Sequence, residues 1–256
     1  MLRRLASALF WAFLLVSSLL LFPIALLLWG LSAPFDRKGW LLHRFTCFWA
    51  SLYTWLSPVW QVTIQGRERI RPDRSYVMVA NHQSLLDILV LFRLFAHFKW
   101  VSKVENFRVP LIGWNMVLNR YIPLIRGNRE SAIRMLARCA ETLAAGSSVM
   151  IFPEGTRSPD GRLRAFKAGA FDLARQARAP LLPIVIEGTA RALPKRGFVL
   201  QGRHRIRIRV LDEIPPERFA DLDSAALTER VHALFAAELG ESGTRRVRPA
   251  ALGVSG

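Results

Sequence analysis

Two segments of this chain hold residues whose types and spacing could do chemistry: Asn81-His82-Gln83-Ser84-Leu85-Leu86-Asp87 and Phe152-Pro153-Glu154-Gly155-Thr156-Arg157-Ser158. In the first, a histidine stands five residues before an aspartate. If His82 sits in a loop and Asp87 in the first turn of the helix that follows, the carboxylate accepts a bond from one ring nitrogen. That contact fixes the tautomer, raises the basicity of the ring and leaves the other nitrogen free to take a proton. A base so placed contributes roughly 10²–10⁴-fold in rate. Two other readings stand beside it. Asn81 or Ser84 could cap the helix with His82 incidental, or Ser84 could be the nucleophile of a hydrolase, although no GxSxG elbow surrounds it. In the second segment, a strand ending in Pro-Glu-Gly-Thr-Arg presents backbone N–H groups, a hydroxyl and a guanidinium together. The arginine fork matches the geometry of a phosphate. The plain alternative is an ordinary turn with Gly155 at positive φ and Arg157 in solvent.

Both segments need a scaffold that brings them together. Short β-branched or apolar runs recur at Gln61–Gln65, Tyr76–Ala80, Trp100–Ser102, Tyr121–Ile125, Val149–Phe152, Leu182–Ile186 and Arg205–Val210. Helical stretches lie at Leu85–Phe95, Arg129–Ala145 and Ala168–Arg178. This alternation predicts an α/β domain, a largely parallel sheet covered by helices, over residues 61–240. In such sheets functional residues gather beyond the carboxyl ends of strands. His82 directly follows one predicted strand and Glu154 another. Arg205-Ile206-Arg207-Ile208-Arg209-Val210 alternates strictly, giving a strand with one apolar and one basic face. Leu222–Leu239 reads as an amphipathic helix, and residues 241–256, small, polar and basic, read as a disordered tail.

Residues 1–60 have a different character. From Leu5 to Phe35 no residue is charged, which exceeds the roughly 20 apolar residues that a membrane span needs and the core of a signal peptide. Pro23 divides the run and Pro34 ends it, so a kinked span and a shallow re-entrant hairpin are both open. Arg3 and Arg4 flank one side and Arg37, Lys38 and Arg44 the other, leaving orientation undecided. Phe45–Gln61, uncharged and rich in Phe, Trp and Tyr, reads as an interfacial segment. The net charge of +17 attracts polyanions, and the apolar N-terminus favours an anionic membrane over nucleic acid. Cys47 and Cys139 share no CxxC spacing and the five histidines no HExxH spacing, so neither a disulfide framework nor a metal site is expected.

On these residues the chain resembles the glycerolipid acyltransferase family, specifically the bacterial 1-acyl-sn-glycerol-3-phosphate (lysophosphatidic acid) acyltransferases. Asn81-His82-x4-Asp87 is similar to the family's first motif, and Tyr121-Ile122-Pro123-Leu124-Ile125-Arg126 sits where the second ends in its arginine. Phe152–Ser158 fits the third, and Leu181-Leu182-Pro183-Ile184-Val185-Ile186 the fourth. The resemblance covers residues from about 60 to 215. It departs at Ile125, where many relatives carry aspartate before the arginine.

The resemblance implies that His82 deprotonates the free hydroxyl of a lysophospholipid and that Asp87 orients it. The alkoxide then attacks an acyl thioester with no acyl-enzyme. It implies acceptor-phosphate ligands at Arg157, Arg126 and Lys103, with Glu154, Gly155 and Thr156 shaping the acceptor site. No cofactor or metal is implied. The expected partners are the lipid bilayer, lysophosphatidic acid and an acyl-coenzyme A or acyl carrier protein thioester, and no nucleic acid. The expected location is a bacterial cytoplasmic membrane with the catalytic domain facing the cytoplasm. Other lyso-lipid acceptors, such as a lyso-ornithine lipid, remain open within the family. Outside it, a lipid or thioester hydrolase and a non-catalytic basic binding module are the competing classes.

Overall fold

The computed structural model describes residues 1–195 and 197–240, so the predicted tail at 241–256 lies outside the described residues. Seven strands run β1 (Trp60–Gln65), β2 (Val77–Ala80), β3 (Phe98–Lys103), β4 (Ile122–Leu124), β5 (Ser148–Ile151), β6 (Leu181–Glu187) and β7 (His204–Val210). The helices are α1 (Leu2–Ser32), α2 (Trp40–Trp55), α3 (Leu86–Phe92), α4 (Ile112–Leu118), α5 (Arg129–Ala144), α6 (Gly169–Gln176), α7 (Thr189–Ala192) and α8 (Ser224–Gly240). The strands form one sheet in the order β1-β7-β6-β2-β5-β3-β4. Every pairing is parallel except β6 with β7.

The central strands are buried on both faces, which is why they read as unbroken apolar runs. Side chains alternate across β2: Met78 and Ala80 join the core under α2 and α3, while Val77 and Val79 join the one under α5, α6 and α8. Register then places the functional residues. Val79 lies opposite Ile151, so His82 and Glu154, three residues beyond each, emerge at the same edge. Lys103, the last residue of β3, pairs with Leu124 of β4, two residues before Arg126. The strand ends β2, β5, β3 and β4 therefore deliver His82, the 152–158 loop, Lys103 and Arg126 side by side.

The N-terminal run does not fold into a hairpin. It is one helix continuous through Pro23, ending at Ser32 before Pro34, and it is the one described helix long and apolar enough to cross a membrane. One face is fastened to the domain. The Trp11 indole donates to the Phe198 carbonyl at 2.7 Å, the Leu200 N–H donates to Ser7 Oγ at 2.9 Å, and Ser17 Oγ meets Tyr53 Oη at 2.9 Å. Further along, Phe22 packs on Trp114 of α4. Ser7 to Phe22 spans about 22 Å of helix, so this face lies along the domain. The opposite face leaves Leu5, Leu9, Leu20, Leu27 and Leu31 exposed.

Phe45–Gln61 departs from the interfacial expectation. Most of it belongs to α2, and Cys47, Trp49, Ala50 and Tyr53 are buried between α1 and the sheet. Its aromatic residues serve a protein interior; only Phe48 and Trp55 stay substantially exposed. Burial pushes both Cys47 and Cys139 thiols up to about 12, and both cysteines are free, consistent with inert core residues.

Candidate active site

Where β2 ends, the backbone turns so that one carboxylate oxygen serves three donors. Asp87, in the first turn of α3, accepts the Gln83 N–H at 2.6 Å and the Ser84 N–H at 2.8 Å through Oδ2. The same oxygen lies 2.9 Å from His82 Nδ1. An ionised carboxylate only accepts, so Nδ1 carries the hydrogen and Nε2 bears the lone pair. Asp87 is fully buried and His82 nearly so. The imidazole lies flat against Phe152, with ring centroids 3.9 Å apart and planes 9° from parallel, and Trp100 backs Phe152. Asn81 ties the strand end to β6 in both directions, donating to the Ile186 carbonyl at 2.9 Å and accepting the Ile186 N–H at 2.8 Å.

The two sequence segments interlock through the backbone of His82. Its N–H donates to Glu154 Oε1 at 2.7 Å and its carbonyl accepts the Ser158 N–H at 2.7 Å. Glu154 therefore holds the backbone of His82 in place. Gly155 takes φ +70°, where an added Cβ would also meet the Lys167 side chain. Thr156 sits half-buried in the same loop. The N–H groups of residues 82 to 84 are all committed to carboxylates, so none of the three is open to a developing oxyanion.

Burial lifts the Glu154 carboxyl from its ordinary 4.5 to about 7, the Asp87 charge adding to the effect and the backbone N–H groups of His82 and Arg164 opposing it. A carboxyl with a raised folded pKa holds an extra proton in the folded state between its two pKa values. Stability then falls as pH rises through that interval, from about 4.5 to about 7. Glu154→Gln keeps an oxygen for the His82 N–H and removes the titration. Its melting temperature should fall less than that of the wild type between about pH 5 and pH 7.5. Equal pH dependence in the two proteins would show that Glu154 is ionised throughout.

The basic residues are grouped as the strand order requires. Lys103 pairs with Glu105 at 2.9 Å. The Arg126 guanidinium is held below its ordinary pKa, first by burial and then by the neighbouring charge of Arg157, with Glu105 opposing. Like charges drawn this close are suited to an anion. His82, Lys103 and Arg126 all line one cavity of about 570 Å3. Its walls are mostly apolar, with Leu89, Phe92, Trp100 and Phe152 near the base and Leu14 and Tyr53 at the N-terminal helices. Ser84 is no nucleophile here: fully buried, it donates to the Leu193 carbonyl at 2.6 Å. Nor does His82 stand loose beside a capped helix, since Asp87 holds its ring.

Sequence reasoning missed three contributors. Phe152 was legible as part of a motif but not as the plate under the imidazole. Lys195 holds the Arg157 carbonyl at 2.6 Å and Phe198 closes part of the cavity; both stand in an irregular loop with no motif or periodicity to signal them.

A base held by a buried carboxylate at a parallel-sheet edge, a cationic cluster beside it and an apolar cavity below suit an enzyme that activates a hydroxyl on an amphiphile. The chain belongs to the acyltransferase family: the family model described as Acyltransferase matches residues 61–187. A 1-acyl-sn-glycerol-3-phosphate acyltransferase of Chlamydomonas reinhardtii is 37% identical over 246 residues, 95% of this chain and 74% of that protein. The chloroplastic 1-acyl-sn-glycerol-3-phosphate acyltransferase LPAT1 of Arabidopsis thaliana is 40% identical over 68% of this chain and 49% of that protein. The chain thus spans about half the length of this chloroplast relative. The fold is shared with the crystal structure of the 1-acyl-sn-glycerophosphate acyltransferase PlsC of Thermotoga maritima, at a TM-score of 0.78 and 24% identity over 95% of this chain and 98% of that one.

Proposed function

We propose that this enzyme transfers an acyl chain from an acyl thioester to the free hydroxyl of lysophosphatidic acid, giving phosphatidic acid. The observation that carries this reading is the lining of one cavity by a carboxylate-held imidazole and by the cations Lys103 and Arg126. His82 Nε2 takes the hydroxyl proton as the oxygen attacks the thioester carbonyl carbon. Asp87 stabilises the imidazolium that forms. The tetrahedral intermediate collapses with cleavage of the C–S bond, and Nε2–H returns the proton to the leaving sulfur. Arg157, Arg126 and Lys103 hold the acceptor phosphate, which carries close to two negative charges, and Lys103 exchanges Glu105 for it. The apolar cavity takes hydrocarbon, in line with an amphiphilic substrate.

The exposed leucine face of α1 is a contiguous apolar surface of the kind that a membrane covers. Because the other face is fastened along the domain, the helix lies in the interface with its leucines in the acyl region. The catalytic edge then faces the leaflet from the cytoplasmic side, where activated acyl thioesters are made.

The direct test is incubation of the detergent-solubilised protein with lysophosphatidic acid and radiolabelled acyl-coenzyme A or acyl carrier protein. Labelled phosphatidic acid is the expected product. Label confined to another lyso-lipid would replace the acceptor, and free fatty acid alone would make the protein a hydrolase. Arg157→Ala is expected to raise the acceptor KM by at least about tenfold, the worth of one charge-assisted phosphate contact. The donor KM should stay near that of the wild type; a rise in the donor constant alone would remove Arg157 from the phosphate site.

A further inference from the structure

A second cationic surface lies on the other flank of His82. The outward faces of β7 and β1 carry Arg205 beside Gln61 and Arg207 beside Thr63, in direct register. Together with Arg191, Arg162 and the loop at Gly161 they line a groove of about 1200 Å3, bounded below by the end of α8. This sheet face is polar throughout, so it is no apolar surface awaiting a helix. Its charge is only partly spent. Glu187 serves Arg207 at 3.7 Å and Arg209 at 3.3 Å, and Arg209 also binds Glu238. Arg205 and Arg191 have no ion-pair partner among the described residues.

Sheet order gives the groove its meaning. The acceptor-phosphate cluster occupies the β5-β3-β4 side of His82 and the groove the β6-β7-β1 side. A lysophosphatidic acid has one phosphate, so a second anion site must serve another molecule, and the only other reactant is the acyl donor. The groove also adjoins the base. Gln83, the residue after His82, lines it and donates to the Gly161 carbonyl at 3.0 Å. Gln83 thus belongs both to the turn that presents His82 and to the wall of the groove.

Resting on the acyl-transfer reading above, we propose that this groove binds the phosphorylated nucleotide end of a coenzyme A thioester. Same-face residues on a strand lie about 7 Å apart, so Arg205 and Arg207 present two guanidiniums to phosphates on separate parts of one ligand. Gln61 and Thr63 beside them offer amide and hydroxyl groups to a ribose or a base. A groove of about 1200 Å3 is near the size that holds a small organic ligand, which favours a nucleotide over a protein face.

The test is steady-state kinetics of the wild type and the Arg205→Glu/Arg207→Glu variant with lysophosphatidic acid as acceptor. Three donors are compared: acyl-coenzyme A, acyl-pantetheine, which lacks the nucleotide, and acyl carrier protein. The KM for acyl-coenzyme A is expected to rise at least about tenfold, with acceptor KM unchanged and acyl-pantetheine turned over equally by both proteins. Arg191→Glu, on a different element, is expected to shift the same constant. An unchanged acyl-coenzyme A KM overturns the proposal, and so does an equal loss with acyl-pantetheine, which would mark general damage. A loss confined to acyl carrier protein also overturns it, by making the groove a protein-docking face. Wild-type protein that acylates lysophosphatidic acid from none of the donors overturns the acyl-transfer reading itself.

Discussion

His82→Ala is expected to lower kcat by at least about a hundredfold while leaving a folded protein that still binds both substrates. The expectation rests on what the substitution removes and what it spares. It removes the nitrogen proposed to take the hydroxyl proton. It spares the bonds from the His82 N–H to Glu154 and from the Ser158 N–H to the His82 carbonyl, because both use the backbone. The two loops therefore stay joined. The cost to stability is the lost stack on Phe152 and the lost imidazole bond to Asp87, whose Oδ2 retains two backbone donors. Turnover of labelled lysophosphatidic acid, read beside a melting curve, separates the effects. Near-normal turnover would sink the assignment of the base; a large fall in melting temperature would show that the imidazole also holds the fold.

The sheet was legible for a physical reason. Strands buried on both faces must be apolar at nearly every position, so Tyr76–Ala80, Val149–Phe152 and Leu182–Ile186 stood out, and each overlaps an observed strand. Their order was not legible. Nothing in β2 or β5 states that the two are neighbours; that follows from how helices on both faces pack, and only it brings His82 against Glu154. The histidine and aspartate contact was readable because it is local, five residues across one turn. The stack of Phe152 under the imidazole was not, since it joins loops 70 residues apart in sequence. Phe45–Gln61 shows a different limit. Its aromatic content suits a lipid headgroup region and a protein interior equally, and the choice was made by α1, which covers Trp49 and Tyr53. The basic face of β7 was legible from its alternation, but its place beside β1, on the opposite side of β2 from β5, follows only from the strand order.

Substitution at Asp87 is expected to separate charge from architecture. One oxygen of this fully buried carboxylate accepts from the imidazole and from two backbone N–H groups, while Oδ1 accepts no bond among the described residues. Asn has nearly the same shape, and its single carbonyl oxygen can serve the same donors. Asp87→Asn should therefore keep the turn after β2 and most of the stability, yet lower kcat on the order of 10²-fold, because no negative charge stabilises the imidazolium formed as the proton transfers. Asp87→Ala should do more. It leaves the Gln83 and Ser84 N–H groups buried without an acceptor, at about 1–3 kcal/mol each, and frees the ring. Its melting temperature should drop along with its turnover. If the Asn variant melted as low as the Ala variant, the charge itself would be holding the loop. If it retained full turnover, the imidazole would need no carboxylate, and Asp87 would serve only to shape the turn that presents His82.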